Sequence, residues 1–207
     1  MRQDQLRRIA EEQMAGRKEQ KAREPGFLFY HGLRVAGIAL ELADALHIAV
    51  DRDVLYAGAL FHDIGKGAVA HNERGAEIAL DLLRDLFDES HLARVVEIVR
   101  LHNQRGDAAE HPVAAKIVQD ADALDHFGPA SVWLTFYWSG VYGETIHDHI
   151  RYVASEETAA HHAARREALN FGVSRRFFDE RLRWEKTFLE QFRRTYFEGV
   201  WHEGAGT

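Results

Sequence analysis

An all-α fold is predicted for this 207-residue chain by three features of its sequence. Apolar residues recur at helical spacing along most of its length. No stretch alternates apolar and polar residues for long enough to make a strand. Strong breakers fall between the periodic segments, as at Glu24-Pro25-Gly26 and Gly128-Pro129. With 46% apolar and 29% charged residues the composition is that of an ordinary globular domain. The length suits one core with appended elements.

Gln5 to Lys21 reads as a charged, weakly amphipathic helix that the Pro25-Gly26 breaker ends. A helix is then expected from about Leu28 to His47. The next begins after Asp51, a good N-cap, and stops near Gly65. Asn72 and Ser90 are expected to cap two more, reaching about Phe87 and His102. Residues 103–111 read as a loop, Val113 to about Leu124 as a helix, and Pro129 opens an apolar one. Gly140 to His149 looks like a connection. The last helix spans roughly Ser174 to Val200, with Phe178, Leu182, Leu189, Phe192 and Tyr196 on one stripe suited to core packing or to a homodimer. The expected organisation is a charged N-terminal helix in 1–24, a single helical bundle in 25–200 and a disordered tail in 201–207.

Charge and composition narrow the function classes. The chain has no cysteine, which excludes disulfide scaffolds, iron–sulfur clusters and thiolate catalysis. No run approaches the roughly 18 apolar residues of a membrane span, and the charged N-terminus has no apolar stretch for a secretory signal. A cytoplasmic protein is the expectation. Net charge is −7, yet residues 1–24 and 164–207 are each slightly basic, so the middle of the chain is strongly acidic. Nucleic-acid binders need a basic stripe to displace counterions, and none is present, so no nucleic-acid partner is expected.

Histidine is the outlier, at 13 residues. His31 shares a helical face with Val35, Ile38 and Leu42. His62 shares one with Leu55 and Gly58, where Ala57, Gly58 and Ala59 would let another helix approach closely. His102 shares one with Val95 and Ile98. Downstream, QDADALD places Asp120, Asp122 and Asp125 in an otherwise apolar helix. A single buried histidine is usually satisfied by one hydrogen bond. Several imidazoles and carboxylates in one core are costly to bury without a cation. Neutral imidazoles with carboxylates suit a divalent transition metal, Mn, Fe, Co, Ni or Zn, whereas Mg rarely takes histidine.

His31, the adjacent His62-Asp63 in FHDIGK (61–66) and the AD of QDADALD together resemble the HD superfamily of metal-dependent phosphohydrolases. The resemblance implies a helical HD domain and a metal held by His31, His62, Asp63 and Asp122. A lone His-Asp dipeptide is weak, and a second one, His147-Asp148, lies in a polar stretch and reads as incidental. The likeness runs over about residues 25–197. It extends to KIVQDADALDHFG and ERLRWEKTFLEQF, which resemble small bacterial HD proteins that include nucleoside-triphosphate pyrophosphohydrolases. That branch usually has Arg-Leu-Asp after QDAD, where this chain has Ala123-Leu124-Asp125, a change that bears on the substrate.

His71 and His102 stand where dinuclear HD proteins place ligands for a second ion, with Asp63 as the bridge; the alternative is a loop residue and a core residue. One ion is expected, with a second if these two histidines bind. Asp120 competes with Asp122 for the fourth ligand place, and helical periodicity does not separate them, although the family pattern favours Asp122. Asp63 is the candidate for orienting the attacking water. Lys66 is a candidate catalytic residue for the substrate phosphate, or else a solvated lysine at a helix end. Lys66 stands where some HD nucleotidases have Glu, which disfavours monophosphate hydrolysis of their kind. Arg34 and Arg105 are weaker candidates for phosphate contacts. His47, His91, His111, His126, His161, His162 and His202 read as surface or structural.

The leading functional expectation is hydrolysis of a phosphoanhydride or phosphoester of a small molecule, a nucleotide foremost, by metal-activated water. The alternatives are an HD-type di-iron oxygenase and a non-catalytic metal- or ligand-binding protein.

Overall fold

The computed structural model describes residues 2–18, 21–105 and 110–198, and among these every regular element is helical. The ten helices are α1 (Arg2–Met14), α2 (Phe27–Leu46), α3 (Arg52–Phe61), α4 (His71–Leu83), α5 (Glu89–Leu101), α6 (Val113–Asp125), α7 (Pro129–Tyr142), α8 (Ile146–Val153), α9 (Glu156–Glu167) and α10 (Gly172–Glu198). No helix among the described residues is long and apolar enough to cross a membrane.

The core is built on α2, α3, α5 and α6. Helix α2 packs along α3 and α6, α3 packs on α5, and α4 lies along α5. Their apolar stripes supply fully buried Val35, Leu42, Leu55, Phe61, Val95, Val99, Ile117 and Leu124. Close approach of these backbones depends on two glycines. A Cβ on Gly32 would lie 2.4 Å from the carbonyl oxygen of Leu60, so α2 sits directly on α3. A Cβ on Gly58 would lie 2.6 Å from Ile98 Cγ2, so α3 sits directly on α5 as the run of small residues at 57–59 led us to expect. These two contacts draw the ends of α2, α3 and α5 that carry His31, His62 and His102 toward one point.

Helix α1 is shorter than expected, but its i, i+4, i+8 stripe of Leu6, Ala10 and Met14 is wholly buried against α2 and α3. From the turn after it, Arg17 donates to the carbonyls of Ile64 (2.6 Å) and Lys66 (2.7 Å), which fastens the N-terminal segment to the turn following the His-Asp pair. Helix α10 packs on α6 and α7 with Phe178 buried against Phe127, and farther along Phe188 meets Phe136 of α7 while Tyr196 and Phe197 flank His147 of α8, all three remaining partly exposed.

Several boundaries differ from the sequence reading. Asp51 caps α3 by accepting from the backbone N–H groups of Asp53 and Val54, as expected, but α3 ends at Phe61 rather than near Gly65. Residues 62–67 instead form tight turns, with Ile64 N donating to Phe61 O and Lys66 N to Asp63 O. Helix α4 begins at His71, with Ala70 rather than Asn72 at its N-cap. Asp88, not Ser90, caps α5. The largest difference lies at residues 140–149, expected as a connection: α8 starts there, and α9 follows. Thr145 and Asp148 form a reciprocal capping box, and Ser155 caps α9 through Thr158 N. The second His-Asp dipeptide is therefore a cap: Asp148 Oδ2 accepts from Thr145 N at 2.9 Å. The expected tail at 201–207, with His202, lies outside the described residues.

Candidate metal centre

Five imidazoles, on α2 and α4 and at the C-caps of α3, α5 and α6, run in a row. Ring centroids are 5.2 Å apart for His126 and His31, 4.9 Å for His31 and His62, 5.1 Å for His62 and His102, and 5.4 Å for His102 and His71. His31, His62 and His102 are almost wholly buried, as is Asp63. The row opens onto a cavity of about 310 Å³ whose wall includes His31, Asp63, His102, Asp122, His126 and Lys66.

The hydrogen bonds fix the outward-facing nitrogens. His62 Nδ1 donates to Ala59 O (2.7 Å), His102 Nδ1 to Val99 O (2.7 Å) and His31 Nδ1 to Asp125 Oδ2 (2.7 Å). Asp125 is itself clamped by Arg34, whose Nε and Nη2 donate to its two oxygens at 2.8 and 2.9 Å. With each Nδ1 committed as a donor, each neutral ring presents a bare Nε2 lone pair. His31 Nε2 and His62 Nε2 then face each other at 3.2 Å, and Asp122 Oδ1 lies 3.2 Å from His31 Nε2 and 3.8 Å from His62 Nε2. Asp63 Oδ2 stands 3.8 Å from His62 Nε2, while its Oδ1 faces His102 Nε2 (3.4 Å) and His71 Nε2 (3.8 Å).

Lone pairs arranged this way repel unless a cation sits among them. The donor set therefore fits a divalent transition metal: imidazole nitrogens and carboxylate oxygens converge, with each imidazole oriented by a partner behind it. Ligand atoms of His31, His62 and Asp63 all lie within 4.8 Å of one another, as do those of Asp63, His71 and His102, and those of His31, Asp122 and His126.

The electrostatics follow the same arrangement. Burial opposes a charge on His31, but Asp122 and Asp125 outweigh it and raise its pKa to about 9. When no metal is bound, a proton on His31 thus occupies the place between the lone pairs. Burial lowers His62 to about 4, so it stays neutral. Burial would raise Asp63, yet His62, His102 and Lys66 together hold it below the usual carboxylate range. Asp122 is likewise held well below that range, against burial, by His126, His31 and His62.

All six residues read from the sequence as ligands, His31, His62, Asp63, Asp122, His71 and His102, are brought to this row. Lys66 Nζ lies 3.1 Å from Asp63 Oδ2 on the cavity wall. His71 accepts from Asn103 Nδ2 at 3.0 Å and is partly exposed. Asp120 does not join them. It is fully buried on the other side of α6, where its carboxylate accepts from Asn170 N, Asn170 Nδ2 and Phe171 N at 2.9–3.1 Å. Arg34 serves Asp125, and Arg105 donates to the carbonyls of Gln119 and Ala168.

His126 corrects the sequence reading, which placed it on the surface or in a structural role. One turn after Asp122, its Nε2 lies 3.6 Å from Asp122 Oδ1. That i, i+4 spacing was the signal available for it. Asp125, i+3 from Asp122, was singled out as a buried carboxylate but given no part to play. Of the other histidines, His47 forms the left-handed C-cap of α2 and His91 pairs with Asp88 and Asp51. His111 meets Gln119, and His162 packs on Phe127.

Residues 28–126 match the HD domain family. Over 105 residues, half of this chain, the sequence is 34% identical to Ribonuclease Y of Treponema pallidum, and it spans about a fifth of that protein's length (19%). Solved structures extend the likeness to the whole chain. Bacillus subtilis YpgQ, in its complex with ADP, superposes with a TM-score of 0.62 at 18% identity, covering 97% of this chain and 96% of that one. A Lactobacillus plantarum protein gives 0.61 at 18%, covering 94% and 96%. A Listeria innocua protein gives 0.60 at 17%, covering 93% and 96%. At these identities the structures establish a common fold, including the helices beyond residue 126. The chain is an HD domain protein.

Proposed function

We propose that the protein is a metal-dependent phosphohydrolase that cleaves a phosphoanhydride or phosphoester of a small molecule, a nucleotide in particular. The observation that carries this reading is the facing pair of His31 and His62 Nε2 atoms, 3.2 Å apart and flanked by Asp63 and Asp122, beside a cavity that His31, Asp63 and Asp122 line together with several cationic side chains. His31, His62, Asp63 and Asp122 would hold one metal ion, and Asp63, His71 and His102 a second with Asp63 shared. The bound metal would acidify a coordinated water and neutralise charge growing on the phosphoryl group.

The chain's own groups supply the rest. Asp63, kept ionised by its surroundings, can accept a hydrogen bond from the attacking water and so orient it. Lys66, beside Asp63 and open to the cavity, can donate to a nonbridging phosphate oxygen as charge develops there. Asp125, held by Arg34, keeps His31 in the tautomer that presents Nε2. Two comparisons support the substrate class: a structural relative was crystallised with ADP, and a segment of a ribonuclease is related in sequence.

The test uses Mn-loaded protein against a panel of ribo- and deoxyribonucleotides, with phosphate and pyrophosphate assayed separately. Turnover of at least one nucleotide is expected, and its abolition in Asp63→Ala. A protein that contains metal and is silent across the panel would sink the reading and favour the oxidative alternative. That alternative is then tested by iron content near two per chain and a charge-transfer band.

A further inference from the structure

The segment that carries Asp63 and Lys66 is not part of a helix. Helix α3 stops at Phe61, and the chain continues in successive tight turns: Ile64 N donates to Phe61 O, Lys66 N to Asp63 O and Ala68 N to Gly65 O. These bonds serve the carbonyls of residues 61, 63 and 65. Among the described residues no backbone N–H serves those of Ile64 and Lys66, which a continuing helix would have satisfied one turn on. Arg17 takes both: its Nη1 donates to Ile64 O at 2.6 Å and its Nη2 to Lys66 O at 2.7 Å. One planar guanidinium therefore spans the turn as a fixed fork, where two flexible donors would leave it free to shift.

Arg17 is also anchored at its backbone. Its N–H donates to the carbonyl of Met14 (3.1 Å), a fully buried residue of α1. Its carbonyl accepts from Gly26 N at 2.9 Å, and Gly26 is the N-cap of α2, the helix that brings His31 to the site. Gly26 has a φ of 76°, and a Cβ there would lie 2.6 Å from Ala15 O, so the start of α2 is pressed against the chain leaving α1. On its other side the turn meets α4, where a Cβ on Gly65 would collide with His71 O and Gly75 N. The turn is thus held between the backbone of α4 and the guanidinium of Arg17.

We propose that Arg17 is a positioning residue of the metal centre. By holding the carbonyls of Ile64 and Lys66 it fixes the turn so that Asp63 faces the nitrogens of His62 and His102 and Lys66 faces the cavity. Through its own carbonyl it sets that turn against the start of α2. Metal–ligand distances tolerate deviations of only about 0.2 Å, and a ligand outside regular structure meets that demand only if its turn is held. Arg17 and α1 lie outside residues 28–126, the segment that matches the HD domain family, so a part of this site is supplied from beyond the matched domain. The role of Arg17 toward Lys66 rests on the phosphohydrolase reading; its role toward Asp63 rests only on the fit of the donor set to a metal.

The test compares Arg17→Ala and Arg17→Lys with Leu6→Ala, which loosens the buried face of α1 without removing a donor to the turn. Manganese affinity is measured by competition with a chelator, amide hydrogen exchange at residues 62–68 in the metal-free protein, and kcat and KM on whichever nucleotide turns over. Arg17→Ala is expected to bind manganese about tenfold or more weakly, and the amides of Ile64 and Lys66 to exchange faster. Its kcat should fall about tenfold or more while KM moves by less than about twofold. Arg17→Lys should recover part of each loss, and it carries the comparison if melting shows that Arg17→Ala has lost its fold. Leu6→Ala should lower the melting temperature and leave manganese affinity and exchange in the turn unchanged. Wild-type manganese affinity in the Arg17 variants overturns the proposal. An equal loss of affinity in Leu6→Ala also overturns it, because Arg17 would then only fasten α1. Failure of the phosphohydrolase reading looks different: no nucleotide is hydrolysed, yet manganese affinity still depends on Arg17. Hydrolysis with manganese affinity indifferent to Arg17 sinks this proposal alone.

Discussion

His31 Nε2 and His62 Nε2 lie 3.2 Å apart, although each ring already commits its Nδ1–H as a donor to another group. Two neutral imidazoles cannot hydrogen-bond to each other in that arrangement. The contact is stable only with a cation between them, and the behaviour of the site follows from which cation it is.

The carboxylate behind His31 sets the quality of that ligand. Asp125 accepts from Nδ1 at 2.7 Å and is held by two bonds from Arg34. Asp125→Asn removes no metal ligand but weakens the orientation and basicity of His31. Metal affinity is expected to fall by about 10–100-fold, measured by competition with a chelator. An affinity equal to wild type would show that Asp125 is only a structural partner of Arg34.

The proton on His31 competes with metal. Its pKa is raised to about 9, that of His62 lowered to about 4, and those of Asp63 and Asp122 held low, so of these four His31 is the one that changes charge between pH 7 and 9. Metal affinity should rise with pH and flatten above about 9, with one proton released per ion bound at pH 7. For the metal-free protein the linkage has the opposite sign. A histidine with a raised folded pKa stabilises fully below its unfolded value, about 6.5, and that contribution is lost as pH rises toward 9. Melting temperature of the metal-free protein should therefore drop across this window while that of the loaded protein does not.

Asp120 and Asp122, two residues apart on α6, should fail in different ways. Asp120→Ala leaves the N–H groups of Asn170 and Phe171 unpaired, which costs about 1–3 kcal/mol of stability and leaves metal content intact. Asp122→Ala should lose metal instead. Elemental analysis beside thermal melts separates them, and loss of metal in Asp120→Ala with wild-type stability would reverse the assignment.

Lys66 is read as a donor to the phosphate rather than as a surface lysine. Lys66→Ala is expected to lower kcat about 10²–10³-fold at unchanged metal content, by analogy with removal of one transition-state donor. A change confined to KM would place Lys66 in binding alone.

The sequence by itself determined the helical class and most of the first ligand set. Apolar spacing placed His31, His62 and His102 on inward faces, and the adjacency of His62 and Asp63 is covalent, so both survive any packing of the helices. The inward face of α1, Leu6, Ala10 and Met14, was not singled out, because three apolar positions among many charged ones read only as a weakly amphipathic helix. Helices α8 and α9 were missed because they are short, eight and twelve residues, so that few apolar positions mark α8 and almost none mark the polar α9, even though their caps at Thr145 and Ser155 stood in the sequence. Periodicity did not separate Asp122 from Asp120, although the family pattern favoured Asp122, because both lie on one buried helix; the tertiary structure shows which neighbour each meets, His31 in one case and Asn170 in the other. It also assigned Asp125 and Arg34 to the support of His31 and drew His126 into the row. Periodicity reports which side of a helix is buried; what that side touches is decided by how the helices cross, and here two glycine contacts, Gly32 on Leu60 and Gly58 on Ile98, hold those crossings close.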